Sequence, residues 1–179
     1  MRQPIQHQMQ TTQQQSRSKL EVSHKPNIFF GNYEERLLDW NKIREYVAIS
    51  ENPLELLSKI YFYCPRTTTK TDSYDKSTWL DGWQLLERNL YNQFDICLLL
   101  YYTLILSDSL SQKNILIHNC FIAEEKSNNR KFNYIVEFNN QFLDTHNMAI
   151  MNKTMFDKTY ILHYTCLLYT SDAADDRMR

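Results

Sequence analysis

The amino-acid sequence predicts an α+β fold, with N-terminal helices and a central buried helix packed on a small antiparallel sheet. Three observations carry that expectation. Up to about residue 107, apolar residues recur at helical spacing behind recognisable caps. One segment of that region, residues 96–106 (ICLLLYYTLIL), is apolar nearly all round, as a helix at the centre of a core is. Beyond Ser107 the period of the pattern changes to two, the mark of strands.

The elements follow in order. Residues 1–24 form a Gln-rich head, with seven Gln among the first fifteen residues and few apolar side chains. Such a segment cannot bury enough surface to offset its ordering entropy, so disorder is expected there. A single α+β domain is expected over residues 25–165. Its first helix should run from Tyr33 to about Ile49. Asn32 can cap it, Glu35 sits where a capping box needs it, and Leu37, Trp40, Ile43, Tyr46 and Val47 make one apolar face. Asn52, Pro53 and Glu55 open a second helix, expected to end at Cys64 because Pro65 disfavours a helical residue before it. Leu54, Leu57, Ile60 and Tyr61 are its buried stripe. A polar loop covers 66–78. Asp81 with Gln84, and Asn92 with Asp95, then cap a short helix and the apolar one. Two strands are expected around 115–122 and 132–138. Asn139-Asn140 suits the tight turn into a third strand at 141–145, because Asn tolerates positive φ. After Met148 the pattern allows one more strand or a short helix.

Composition excludes several functions. Lys and Arg number 20 against 21 Asp and Glu, so the chain lacks the basic footprint of a nucleic-acid or anionic-membrane binder. Only two glycines are present, Gly31 and Gly82, which excludes a Gly-rich phosphate cradle and with it a dinucleotide fold or a P-loop. The four cysteines, Cys64, Cys97, Cys120 and Cys166, are widely spaced and make no C-x-x-C pair, so neither a zinc site nor a disulfide scaffold is expected. The longest apolar run has eleven residues where a membrane helix needs about 20. No cofactor is expected.

Three side-chain sets could carry function. Cys97, His118 and Asp144 occur in the chain order of a thiol nucleophile, its base and the group that orients the base. Against this, Cys97 among leucines suits a small buried hydrophobe, and His118 suits a strand histidine facing solvent. His118, Asp144 and His146 include two ligands that could share a strand face, but two without a third do not make a metal site, and none is assigned. Tyr74, Trp79 and Trp83 flank a polar loop and are the residue types a protein-binding patch uses, although the edge of a core uses them too.

The order of elements resembles the papain-like core of transglutaminase-like proteins, and residues 134–144 (YIVEFNNQFLD) are similar to that family's strand–turn–strand ending in Asp. The likeness covers about residues 82–146. It implies a cysteine enzyme, or an inactive relative, with Cys97, His118 and Asp144 in the catalytic places. The chain departs from the pattern in two ways: Asn92 and Asp95 hold the helix start, and Asn133 stands where the family has His. The stretch WLDGWQLL from Trp79, with residues 92–94 and 102–106, is also similar to uncharacterised proteins of marine tailed bacteriophages. That implies an accessory or structural role through a protein partner, in the infected host cell or the virion. Residues 166–179 (CLLYTSDAADDRMR) resemble translated sequencing-adapter DNA, which implies a domain truncated at its C-terminus. The leading expectation is therefore a non-catalytic protein acting through protein contacts, with the cysteine enzyme as the alternative.

Overall fold

The computed structural model describes residues 27–107, 110, 114–123 and 132–166. The Gln-rich head, the expected turn at 124–130 and all of the adapter-like tail except Cys166 lie outside the described residues. Five helices and a five-stranded antiparallel sheet are present among them: α1 (Tyr33–Ile49), α2 (Pro53–Tyr61), α3 (Gly82–Arg88), α4 (Gln93–Ile105), β1 (Ile115–Ile122), β2 (Phe132–Phe138), β3 (Gln141–Asp144), β4 (Ala149–Asn152), α5 (Lys153–Thr159) and β5 (Tyr160–Cys166). The α+β expectation holds.

Local chemistry sets the helix starts. Reciprocal capping boxes form at Asn32/Glu35, Asp81/Gln84 and Asn92/Asp95, each satisfying two amides that a helix N-terminus leaves bare. Asn52 departs from expectation: its side chain makes no capping hydrogen bond, and α2 starts from Pro53 alone. The same helix ends at Tyr61, earlier than Pro65 requires. Helix α3 closes on Asn89 in the left-handed region, at φ 55°. On α1 the buried face is Arg36, Trp40, Ile43 and Val47, while Tyr46 is exposed. Arg36 is tolerated there because its guanidinium donates to the carbonyls of Gly31, Leu86 and Glu87, two of which close α3.

Helix α4 is the axis of the fold. It touches α1, α2, α3, β1 and β2, and residues 94–101 on it are all buried. At its centre Thr103 donates to the Leu99 carbonyl, while Trp40 Nε1 lies 2.8 Å and the Tyr61 hydroxyl 2.6 Å from the same oxygen. One hydroxyl thereby satisfies two large side chains from α1 and α2.

The strand order is β4-β3-β2-β1-β5. Asn139 and Asn140, at φ 51° and 60°, make the β2–β3 turn, and Ile135 faces Asp144 across it. Alternation sorts the side chains onto two faces. Ile115, Ile117, Val136, Phe138, Leu143 and Cys166 join α1 to α4 in the main core. Cys120, Ile135, Phe142 and Tyr160 point the other way and are covered by Phe156 of α5. Thus α5 carries the chain across the second face from one edge strand, β4, to the other, β5. Phe156 stacks on Phe142 at 4.4 Å and closes that face. The stretch after Met148 holds more than the expected strand or helix, since β4, α5 and β5 all form there.

Candidate functional site

Cys97 is the fifth residue of α4, beyond the first turn and its bare amides, and its side chain is fully buried. The thiol donates to Thr145 Oγ1 at 3.4 Å, and that hydroxyl donates on to the Tyr134 carbonyl at 2.7 Å. Burial pushes the thiol far up from its ordinary range. The Thr145 bond offsets a little of this, and Cys166, Asp144 and Asp95 add to it. A thiol so placed carries no thiolate at neutral pH and is a poor nucleophile.

His118 lies on the other face of the sheet. Its Nε2 is 2.7 Å from Glu137 Oε2, its Nδ1 is 3.0 Å from Thr165 Oγ1, and its ring packs on Phe142 and Phe156. It is buried, where a solvent-facing strand histidine was the simplest expectation. Asp144 shares the face of His118, but Ile135 stands between them in the same cross-strand row, which sets them about 10 Å apart at the backbone. The carboxylate of Asp144 is committed to the chain itself. It accepts from the backbone amides of His146 and Asn147, from Asn147 Nδ2 at 2.9 Å and from the Tyr160 hydroxyl at 2.8 Å. It clasps the β3–β4 turn and ties it to β5.

The expected grouping of Cys97, His118 and Asp144 is therefore not assembled. The sheet separates the thiol from the imidazole, both ring nitrogens have other partners, and the aspartate orients a turn. His146 is exposed, and among the described residues no three His, Cys, Asp or Glu side chains come together as a metal group.

The aromatic set Tyr74, Trp79 and Trp83 is also divided. Trp83 packs edge-on against Trp40 of α1. Trp79 packs against Phe94 of α4 and donates to the Asp72 carbonyl. Only Tyr74, 53% exposed, belongs to a surface cluster. Its ring lies 5.6 Å from Tyr164 and 6.5 Å from His163, both on β5. His163 continues to Phe121 at 5.2 Å and Phe132 at 5.4 Å, and those two lie 4.7 Å apart.

A β-bulge builds this cluster. Asn119 pairs with Tyr164 and Cys120 with Leu162, so His163 is the extra residue of β5. The bulge turns His163 and Tyr164 to the same side, where strict alternation would divide them. Phe132 is 40% and Tyr164 38% exposed, and Ile161 stands exposed on the same face. The sequence marks Tyr74 but none of its partners, because they meet only through the β1–β5 register.

Compared with known proteins, this chain matches no family model, no curated protein and no solved structure.

Proposed function

We propose that this chain is a non-catalytic protein that acts through contact with another protein chain, as a virus-encoded accessory or structural component in the infected host cell or the virion. The observation that carries the contact is the ring cluster of Tyr74, Phe121, Phe132, His163 and Tyr164 at the β5 edge, half open to solvent with exposed Ile161 beside it on the same face. Rigid rings with a polar tip give contact area at small entropic cost and dominate binding energies at interfaces. The viral part rests on the sequence likeness alone. Burial of Cys97 and its separation from His118 weigh against the cysteine-enzyme alternative.

The test replaces Tyr164 with the photo-crosslinker p-benzoylphenylalanine in the full chain. The control position is Leu38, exposed on α1. A discrete protein adduct from position 164 and none from 38 is the expected result. No adduct, or equal adducts from both positions, overturns the reading.

A further inference from the structure

Strand β5, at one end of the sheet order, lies beside this cluster. Among the described residues no strand pairs with the outer side of β5. An edge strand presents unpaired amides and carbonyls, and proteins ordinarily blunt such an edge with charge, proline, a bulge or a cover. The seven residues of β5, YILHYTC, hold no Asp, Glu, Lys, Arg or Pro, and carry one bulge, at His163. Ile161 and Tyr164 are exposed on the face of the ring cluster, and Leu162, 51% exposed, stands on the face of α5.

We infer that β5 is a self-association edge, and that its occupant is β5 of a second copy of this chain, laid antiparallel about a two-fold axis to make a continuous ten-stranded sheet. This deepens the contact reading above and rests on it. Charge argues for a second copy: a strand without charge meets no like charge opposite itself, whereas a charged peptide would find no partner along β5. Symmetry argues for it as well. A two-fold axis normal to the sheet keeps equivalent faces on the same side, so one operation sets the ring clusters side by side and brings Leu162 of the two copies together. The exposed parts of Tyr74, Phe132 and Tyr164 supply about 250 Å² of ring surface per copy. The strand backbone, Ile161 and Leu162 add to this, toward the roughly 800 Å² per partner of a specific interface. The result is a reversible dimer held by main-chain hydrogen bonds, with side chains setting the register.

Sedimentation velocity of the full chain from about 10 to 300 µM, a range that brackets weak self-association, tests this together with the photo-crosslink from position 164. A dimer whose share rises with concentration and an adduct of twice the chain mass are expected. Leu162→Lys, which puts like charges across the axis, should weaken the dimer at least ~10-fold with an unchanged circular dichroism spectrum. If that variant loses its spectrum, Ile161→Lys on the opposite face gives the same reading. A wild-type chain that stays monomeric overturns the inference, and so does a dimer that neither lysine weakens. An adduct with a foreign chain alone from a monomeric protein also overturns it but leaves the contact reading standing. A monomer without any adduct ends both.

Discussion

Cys97 and His118 stand on opposite faces of one sheet: the thiol meets Thr145 beneath α4, and the imidazole meets Glu137 beneath α5. No side-chain rotation carries a group through a closed sheet, so the pair cannot exchange a proton in the folded state. All four cysteines are free and buried. Iodoacetamide at neutral pH should therefore modify the folded chain at least ~100-fold more slowly than the chain in urea, because the thiolate is the reactive form and burial suppresses it. Peptide mapping checks this. Rapid alkylation confined to Cys97 in the folded protein contradicts the arrangement and restores the enzyme.

Thr103 is the second fixed point. Its hydroxyl serves Trp40 from α1 and Tyr61 from α2, and all three side chains are fully buried. Thr103→Val keeps the shape, orphans the Trp40 indole N–H and leaves the Tyr61 hydroxyl only the Leu99 carbonyl at 3.4 Å. At about 1–3 kcal/mol for the unsatisfied indole N–H and about 1 kcal/mol for the weakened tyrosine hydrogen bond, the expected loss is about 2–4 kcal/mol. Thr103→Ser keeps the hydroxyl and should cost about 1 kcal/mol, the value of one buried methyl group. Urea unfolding of the two variants separates a hydrogen-bond hub from simple packing: equal losses exclude the hub.

The buried hydroxyls and thiols set the response to alkali. Burial raises the Tyr61 hydroxyl and the Cys97 thiol well above their ordinary ranges, and pushes Tyr101 and Cys120 up to about 12. The unfolded chain releases these protons near pH 8.5 for Cys and 10 for Tyr. Their contribution is thus fully present below about pH 8 and is lost as pH rises, by up to about 1.4 kcal/mol per pH unit for each group that ionises only on unfolding. The urea midpoint should hold to about pH 8 and fall steeply by pH 10.5. Absorbance at 295 nm should show tyrosinate from Tyr61 only with unfolding. A flat midpoint to pH 10.5 contradicts the burial of these groups.

What was legible in the sequence was what neighbouring residues decide. Asn32 with Glu35, Asp81 with Gln84, and Asn92 with Asp95 are each three positions apart and act before any tertiary contact forms, so three capping boxes could be read directly. Asn139-Asn140 likewise announces a positive-φ turn. The rest needs distant partners. Arg36 breaks the apolar stripe of α1 because its acceptors lie fifty residues on, at the end of α3. Period two in β1 shows that His118 opposes Ile117, but not which face meets α4, since α5 covers the second face and both faces hold apolar residues. The ring cluster depends on a one-residue bulge at His163, for which no local signal exists.

Gly82 gives a last test of how tightly α4 is wrapped. It opens α3 against the joint of α1 and α4. A Cβ built there would come within 2.7 Å of Trp40 Cη2 and 3.2 Å of Tyr102 Cβ. The first is closer than real carbon contacts, and the Trp40 ring cannot withdraw because its Nε1 is tied to Thr103 and Trp83 packs on its flank. Gly82→Ala gains up to about 1 kcal/mol of helix propensity and meets overpacking of about 1–3 kcal/mol. A net loss of about 1–2 kcal/mol is expected. The clash needs the indole, so the loss should vanish when Gly82→Ala is made in a Trp40→Phe background, where the smaller ring leaves room for the methyl group. Thermal unfolding of the four chains completes the cycle. An equal loss in both backgrounds places the strain elsewhere and detaches α3 from the indole of α1.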